Sequence, residues 1–220
     1  MSLTNLLILI NVLAFLWEYA TGTFRGTDQQ QSLALFDHGG LYGVAVLQYG
    51  EWWRIVTGAF LHGGPAHIAL NMFALYQVGR FVEMLYGKLR FSLIYALSLV
   101  GSGLAVVYLT PDEVTIGASG AIFGLFGALV SVGVRMGPRG RSLITQVLPI
   151  IVINLVFTFV FPGISWAAHV GGLITGFLAG LLLFMVSPRE RSRAYAYAFQ
   201  PAADQGRVQT IEQPPVEPPA

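Results

Sequence analysis

The chain has 220 residues, of which 55% are hydrophobic and only 10% are charged; an ordinary soluble domain has about 25% charged residues. The mean hydropathy is +0.65, and this composition predicts an integral membrane protein. The absence of cysteine from the sequence excludes disulfides, thiolate metal sites and a cysteine nucleophile. The net charge of +1 is uninformative by itself, and we expect no nucleic-acid partner, metal or cofactor.

Six apolar segments are each close to the roughly 20 residues that a membrane-spanning helix needs. We therefore predict an all-α fold, a polytopic bundle of six transmembrane helices with a long membrane-associated first outer loop. Segment 1 lacks the basic region and the small-residue cleavage site of a signal peptide, so we expect it to belong to the bundle. In chain order, segments 1 to 6 are Leu3–Tyr19, His67–Leu85, Phe91–Leu109, Val114–Val134, Leu143–Phe161 and Trp166–Val186.

The linker between segments 1 and 2 is long but still rich in Leu, Tyr, Trp and Gly. Its stretches Leu41–Tyr49 and Trp52–Leu61 are too short to span and are expected to lie in the membrane interface. Residues 1–187 are predicted to form one membrane domain. Residues 188–220 are predicted to be a cytoplasmic tail, basic at first and then Pro-rich, which has too little apolar surface to fold.

Basic residues flank two of the predicted connections and follow segment 6. The linkers between segments 3 and 4 and between segments 5 and 6 have no Lys or Arg. By the positive-inside rule both termini are predicted to be cytoplasmic, and segments 2, 4 and 6 begin at the outer side. The basic residues flank the turn between segments 2 and 3, lie between segments 4 and 5 and follow segment 6: Arg80, Lys88, Arg90, Arg135, Arg139, Arg141, Arg189, Arg191 and Arg193.

Segments 4 and 6 each carry a face of glycines at helical spacing. In segment 4 the run Gly117-Ala118-Ser119-Gly120 is followed by Gly124 and Gly127. In segment 6, His169 precedes Gly172, Gly176 and Gly180. Bare faces of this kind let helices pack closely in membranes, and taken alone that is the more common meaning of the pattern. Packing of the two faces is expected to place Ser119 beside His169.

Four polar residues fall at one depth in the predicted topology, near the outer ends of segments 2, 4 and 6. They are His67, Asn71, Ser119 and His169. Intramembrane polar groups usually face a cavity or a polar partner. Histidine is the usual base for a serine nucleophile, and Asn71, His67 and the Ser119 backbone N–H are candidates to stabilise an oxyanion. Segments 4 and 6 have no Asp or Glu near these positions, which favours a Ser–His dyad over a triad.

Peptide hydrolysis requires water, which the lipid excludes. We therefore expect segment 4 to begin below the membrane surface, with Val114–Ala118 entering as irregular backbone. Such backbone is tolerated only where protein buries it or a water-filled cavity meets it.

Four motifs occur in a characteristic order: Trp53-Arg54, His67-x-x-x-Asn71, Gly117-Ala118-Ser119-Gly120-Ala121 and Ala168-His169-x-x-Gly172-x-x-x-Gly176. From Leu3 to about Ser187 the chain resembles the rhomboid family of intramembrane serine proteases in its compact six-helix form. The resemblance implies that Ser119 is the nucleophile and His169 the general base. It implies an oxyanion site of His67, Asn71, Gly117 and Ser119, with structural positions around it at Trp53, Arg54, Phe123, Gly172 and Gly176.

The same resemblance implies hydrolysis of a peptide bond in or near the transmembrane segment of a single-pass membrane protein. The substrate would enter between segments 2 and 5, with Phe161–Trp166 as a cap, in a prokaryotic plasma membrane. Some family members carry Tyr where this chain has Phe123, and we expect the phenyl ring to stack on His169 without a hydrogen-bonding role. Arg54 and Glu83 resemble positions that tether the first outer loop, His62 is expected to be structural, and His38 exposed.

Two other classes of protein remain as alternatives. One is a catalytically inactive rhomboid-like protein that binds membrane clients; the presence of both Ser119 and His169 argues against it. The other is a transporter or channel, which the lack of an inverted repeat and of an intramembrane carboxylate pair disfavours. The substrate, the cleavage preference and the oligomeric state are left open.

Overall fold

The structure is a computed structural model that describes residues 1–161 and 163–184. The predicted tail, 188–220, lies outside the described residues, so its boundary and its disorder stay predictions. The described part also contains 3₁₀ turns at Gly58–Phe60 and Gly137–Gly140, a π-helical turn at Leu75–Gly79, and two-residue strands β1 (Leu41–Tyr42) and β2 (Val114–Thr115). Its α-helices are α1 (Leu3–Thr21), α2 (Asp28–Asp37), α3 (Gly43–Tyr49), α4 (Arg54–Thr57), α5 (Pro65–Ala74), α6 (Arg80–Leu109), α7 (Ser119–Arg135), α8 (Arg141–Val160) and α9 (Trp166–Leu183).

The described helices supply the six apolar spans that the sequence predicts. Four continuous helical stretches are long and apolar enough to cross a membrane: Leu3–Thr21, Pro65–Leu109, Gly137–Val160 and Trp166–Leu183. The 45-residue stretch is broken at Gly87 by non-helical backbone (φ 75°, ψ 165°) and so provides two spans. The shorter apolar helix α7 is the remaining one. The predicted class, an all-α polytopic membrane protein, is confirmed.

Helix α7 is the most buried helix of the bundle, and its glycine face packs against α9. A Cβ added to Gly172 would lie 1.9 Å from the carbonyl oxygen of Gly120. One helical turn further, a Cβ on Gly176 would lie 1.9 Å from the carbonyl oxygen of Gly124. The two backbones therefore touch, which no side chain would allow. This is the contact that the spacing of the two glycine faces predicts.

The start of α7 lies five residues later than the predicted start of segment 4. Val114 and Thr115 form β2, which pairs antiparallel with β1 in the register Leu41↔Thr115 and Tyr42↔Val114. Extended backbone inside a membrane protein needs hydrogen-bond partners. Here β1 supplies these partners to β2, whereas in a helix they would come from the same segment. Residues 114–118 are non-helical, as expected, and their depth in the membrane stays a prediction.

The first loop contains more regular structure than its composition suggests. Helix α2 begins with a capping box, in which the Thr27 hydroxyl accepts from the Gln30 N–H (3.4 Å) and the Gln30 side chain accepts from the Thr27 N–H (2.9 Å). Helices α3 and α4 form within the two stretches expected in the interface. Their depth in a membrane is not fixed by the structure, so that part stays a prediction.

Two expectations about individual side chains are wrong. Glu83 does not tether the first loop: its carboxylate accepts from the backbone N–H groups of Leu3 and Thr4 (2.9 Å each) and from the Thr4 hydroxyl (2.7 Å). It therefore holds the N-terminus of α1. His38 is not simply exposed, because its ring packs 4.5 Å from that of Trp17 and its Nδ1 lies 3.1 Å from the Thr23 hydroxyl.

Candidate active site

Ser119 is the first residue of α7. The first N–H groups of a helix have no acceptor within the helix, so the Ser119 N–H makes no hydrogen bond within α7. The Ser119 side chain is half-buried. The position follows from β2, which holds the preceding backbone extended until the glycine-rich run begins.

His169 lies in the first turn of α9. The Ser165 side chain caps this helix by accepting from the Ala168 N–H (3.2 Å). The His169 side chain is only 7% exposed, and its Nε2 lies 2.8 Å from the Ser119 Oγ. The structure thus brings together, from 50 residues apart, the two groups that the glycine faces were expected to align.

Two further side chains fix the orientation of the His169 ring. The Phe123 ring, one turn after Ser119, stacks on it with centroids 4.1 Å apart and an interplanar angle of 14°. At the edge of the imidazole, Nδ1 lies 2.7 Å from the hydroxyl of Thr158 on α8. Sequence reasoning missed Thr158. Asn154 and Thr158 are four apart in the second half of segment 5, but the first half also carries Thr145 and Gln146, so the pattern does not single out Thr158.

His67 lies across Gly117 from this pair. Its Nδ1 accepts from the Gly63 N–H (3.2 Å), so in the neutral ring the proton is on Nε2. A Cβ on Gly117 would lie 2.8 Å from that Nε2 and 4.0 Å from the Asn71 amide nitrogen. The Asn71 amide also donates to the His67 carbonyl (3.0 Å). Both side chains therefore offer N–H groups next to the backbone that precedes Ser119.

Gly117 leaves room for the His67 ring and does not offer a free hydrogen-bond donor. Its N–H donates to the Gly58 carbonyl (2.8 Å) and so is not directed at Ser119. Its φ of +110° is a conformation that favours glycine, and a side chain there would collide with the His67 ring. Of the expected oxyanion-side groups, the side chains of His67 and Asn71 have nitrogen atoms beside Gly117, and the Ser119 N–H has no acceptor within α7.

The Trp53-Arg54 motif lies in the first loop and does not touch the Ser119–His169 pair. The buried Arg54 side chain donates to the carbonyls of Phe36 (2.7 Å) and Gly40 (3.0 Å) and forms an ion pair with Glu51. Its guanidinium lies 4.7 Å from the half-exposed Trp53 ring. The motif therefore holds the loop that carries β1, and β1 in turn holds the backbone entering α7.

His62 connects the first loop to α1. Its backbone N–H donates to both carboxylate oxygens of the fully buried Glu18 (3.2 Å each), and its ring lies 5.1 Å from that of His67. Burial, followed by the nearby His67 ring, lowers the pKa of His62 to about 4 against the opposing effect of the Phe60 carbonyl. His62 is therefore neutral near pH 7 and structural, as expected. Glu18 was not foreseen.

The fold and the site define a class: a multi-pass, all-α membrane protein whose most buried helix presents a serine paired with a histidine. A family model described as Rhomboid domain matches residues 49–186. The chain belongs to the rhomboid family.

Similar proteins carry the same family name. The chain is 38% identical to "Rhomboid protease GluP" of Bacillus subtilis over 183 residues, 83% of this chain and 35% of that protein. It is 35% identical to "Putative rhomboid protease YdcA" of Bacillus subtilis over 144 residues, 64% of this chain and 71% of that protein. It is 33% identical to "RHOMBOID-like protein 4" of Arabidopsis thaliana over 156 residues, 70% of this chain and 40% of that protein. The chain spans less than half the length of the first and third of these relatives.

Proposed function

We propose that this chain is an intramembrane serine endopeptidase that hydrolyses peptide bonds in or near the transmembrane segments of single-pass membrane proteins. The observation that carries the proposal is the 2.8 Å separation of the Ser119 Oγ and the His169 Nε2. This is hydrogen-bond distance, at which a histidine can act as the base for a serine nucleophile. Similarity to proteins named rhomboid proteases supports the class of reaction.

The proposed reaction has two halves. In the first, His169 Nε2 takes the Ser119 hydroxyl proton while Oγ bonds to the scissile carbonyl carbon, whose π electrons move to its oxygen. The C–N bond then breaks, and Nε2–H gives its proton to the leaving amine. In the second half, Nε2 takes a proton from water, the resulting hydroxide displaces Ser119 from the acyl carbon, and the proton returns to Oγ.

The oxyanion formed in each half needs donors that are already in place. The Ser119 N–H, the His67 Nε2–H and the Asn71 amide are the groups we assign to it, because preorganised donors in a water-poor site stabilise developing charge strongly. Their position at the non-helical entry to α7 is consistent with a site that opens to water at the predicted outer face. The lipid bilayer and a single-pass substrate are then the partners of this surface.

The experiment is cleavage of a model single-pass substrate by the purified protein, compared with Ser119→Ala and His169→Ala. Labelling with a fluorophosphonate probe is measured in parallel, with Ser92→Ala as a matched control because Ser92 is an exposed serine on α6. We expect the wild type and Ser92→Ala to cleave and to be labelled, and both dyad variants to do neither. Equal cleavage by all four proteins would reject the Ser119 assignment. Retention of the substrate without cleavage would support the inactive client-binding alternative instead.

A further inference from the structure

Helix α8 supplies one buried polar side chain to the bundle at the level of the active site. The buried residues of α8 are Leu143, Val147, Ile151 and Thr158, spaced so that they form one stripe facing α7 and α9. Thr158 is the polar member and is only 4% exposed. A buried hydroxyl in a membrane-spanning helix is costly unless it has partners, and Thr158 has two.

The two partners fix the direction of the hydrogen bonds. The Thr158 Oγ1 lies 2.7 Å from the Asn154 carbonyl oxygen and 2.7 Å from the His169 Nδ1. A carbonyl oxygen can only accept, and a threonine hydroxyl has a single proton. The arrangement that satisfies both contacts has Thr158 donating to the Asn154 carbonyl and accepting from the Nδ1–H of His169.

We propose that Thr158 is a positioning residue for His169, selecting the imidazole tautomer in which Nδ1 carries the proton and Nε2 is free to accept from Ser119. The inference rests on the proposed function, in which His169 is the base. In the opposite tautomer Nε2 would carry the proton and could not receive the one from Ser119. Thr158 thus does from α8 part of what a carboxylate does in a catalytic triad, without a buried charge in the membrane.

The hydroxyl also stabilises His169 in the charged state that forms when Ser119 attacks. Nδ1 keeps its proton throughout the reaction, so the bond to Thr158 is present before and during proton transfer and strengthens as the ring becomes cationic. Phe123 fixes the plane of the ring from its face, whereas Thr158 fixes the rotation of the ring within that plane.

The test compares Thr158→Val, which keeps the shape and loses the hydroxyl, with Thr158→Ser, which keeps the hydroxyl and loses a methyl group. Thr145→Val is the matched control, because Thr145 is exposed on the same helix and, among the described residues, bonds only to the Ser142 carbonyl of that helix (2.9 Å). Steady-state kcat and KM on a model single-pass substrate are measured beside the rate of fluorophosphonate labelling.

For Thr158→Val we expect kcat and the labelling rate to fall about tenfold with KM unchanged, the size of one lost hydrogen bond in the transition state. Thr158→Ser and Thr145→Val should stay within about twofold of wild type. A Thr158→Val protein with wild-type kcat, a change confined to KM, or a Thr158→Ser protein as slow as Thr158→Val would overturn the inference. A rise in kcat would also overturn it, since it would show that Thr158 donates to Nδ1 and holds the unproductive tautomer.

A second measurement does not depend on activity. Nitrogen-15 NMR of the histidine-labelled protein, with the His169→Ala spectrum to identify the His169 signals, reports which ring nitrogen is protonated. We expect Nδ1–H in the wild type and in Thr158→Ser, and a mixture of tautomers in Thr158→Val. An Nε2–H tautomer in the wild type overturns the inference even if the other variants fail to fold. If instead Ser119→Ala cleaves as well as the wild type, the proposed function fails while the NMR result still decides the hydrogen bond.

Discussion

The ring of Phe123 lies 4.1 Å from the ring of His169 and is inclined to it by only 14°. Both side chains are buried, and Phe123 is one helical turn after Ser119, so a single helix carries the proposed nucleophile and the surface on which the proposed base rests. Stacking restricts His169 to rotation within its own plane. Because this contact is made by a face of the ring, it depends on an aromatic side chain and not on a hydroxyl.

Replacing Phe123 with Leu is expected to lower kcat about two- to tenfold, because an aromatic pair contributes about 0.5–1.5 kcal/mol beyond its buried area. Phe126→Leu is the matched control: Phe126 is buried on the same helix and meets Phe123 edge-on at 6.2 Å. Steady-state kinetics on a single-pass substrate provide the measurement. Equal losses in the two variants would assign the effect to general packing of α7.

The contact between Gly120 and Gly172 leads to a prediction about stability and activity together. Gly172→Ala would place a Cβ 1.9 Å from the Gly120 carbonyl oxygen, so α7 and α9 must separate, and overpacking of this kind typically costs about 1–3 kcal/mol. The same separation lengthens the Ser119–His169 hydrogen bond. We expect a lower unfolding free energy in an SDS titration and a loss of labelling by a serine-directed probe.

Leu178→Ala is the control for that variant. It also places alanine on α9, but at a residue that is 52% exposed in the described structure. Its unfolding free energy and its labelling should stay close to those of the wild type. If Gly172→Ala were as stable and as reactive as Leu178→Ala, the close approach of the two helices would not be required for the site.

His67 is expected to act in the chemical step. Removing one oxyanion donor costs about 10²- to 10³-fold in kcat in serine proteases, so His67→Ala should lower kcat by about that factor with little change in KM. His38→Ala is the comparison, because His38 is half-buried against Trp17 in the first loop and should leave kcat unchanged. A change in KM alone for His67→Ala would show that the ring contacts the substrate only in the ground state.

The sequence sufficed to place Ser119 and His169 together because glycine faces encode a specific contact. In a membrane, a glycine face at helical spacing favours close packing against another helix. The two faces carry the serine and the histidine at matching positions along their helices, so packing of the faces brings these residues together. The bundle of six spans follows equally directly from segment length and hydropathy.

Other features depend on contacts that no periodic pattern in the sequence predicts. A threonine in a largely apolar helix normally bonds to its own backbone. Nothing in the pattern therefore distinguishes Thr158, which does this and also contacts His169. Glu18 and His62 are 44 residues apart, and β2 is too short to show alternation. Glu83 was misassigned because sequence spacing gives the depth of a carboxylate and not which neighbouring helix end it meets.

The carboxylate of Glu83 should stabilise the bundle through the N-terminus of α1. Its three donors are the backbone N–H groups of Leu3 and Thr4 and the Thr4 hydroxyl. Glu83→Ala leaves these groups without their acceptor, which should cost about 1–3 kcal/mol of unfolding free energy. Thr4→Val should cost less, and the two losses should not add, because both act on one contact. Thr21→Val, at the exposed far end of α1, serves as the control in the same SDS titration.

The chain has no cysteine, so each introduced cysteine is its only thiol. The predicted orientation can therefore be measured by labelling single-cysteine variants. Asp112 and Arg139 are exposed residues at the two ends of α7, in the linkers that precede and follow it. By the positive-inside rule the linker with Arg139 is cytoplasmic. We expect a membrane-impermeant maleimide to label Asp112→Cys in intact cells and Arg139→Cys only after permeabilisation. The reverse pattern would place the Ser119 end of α7 on the cytoplasmic side and exclude an outward-opening site.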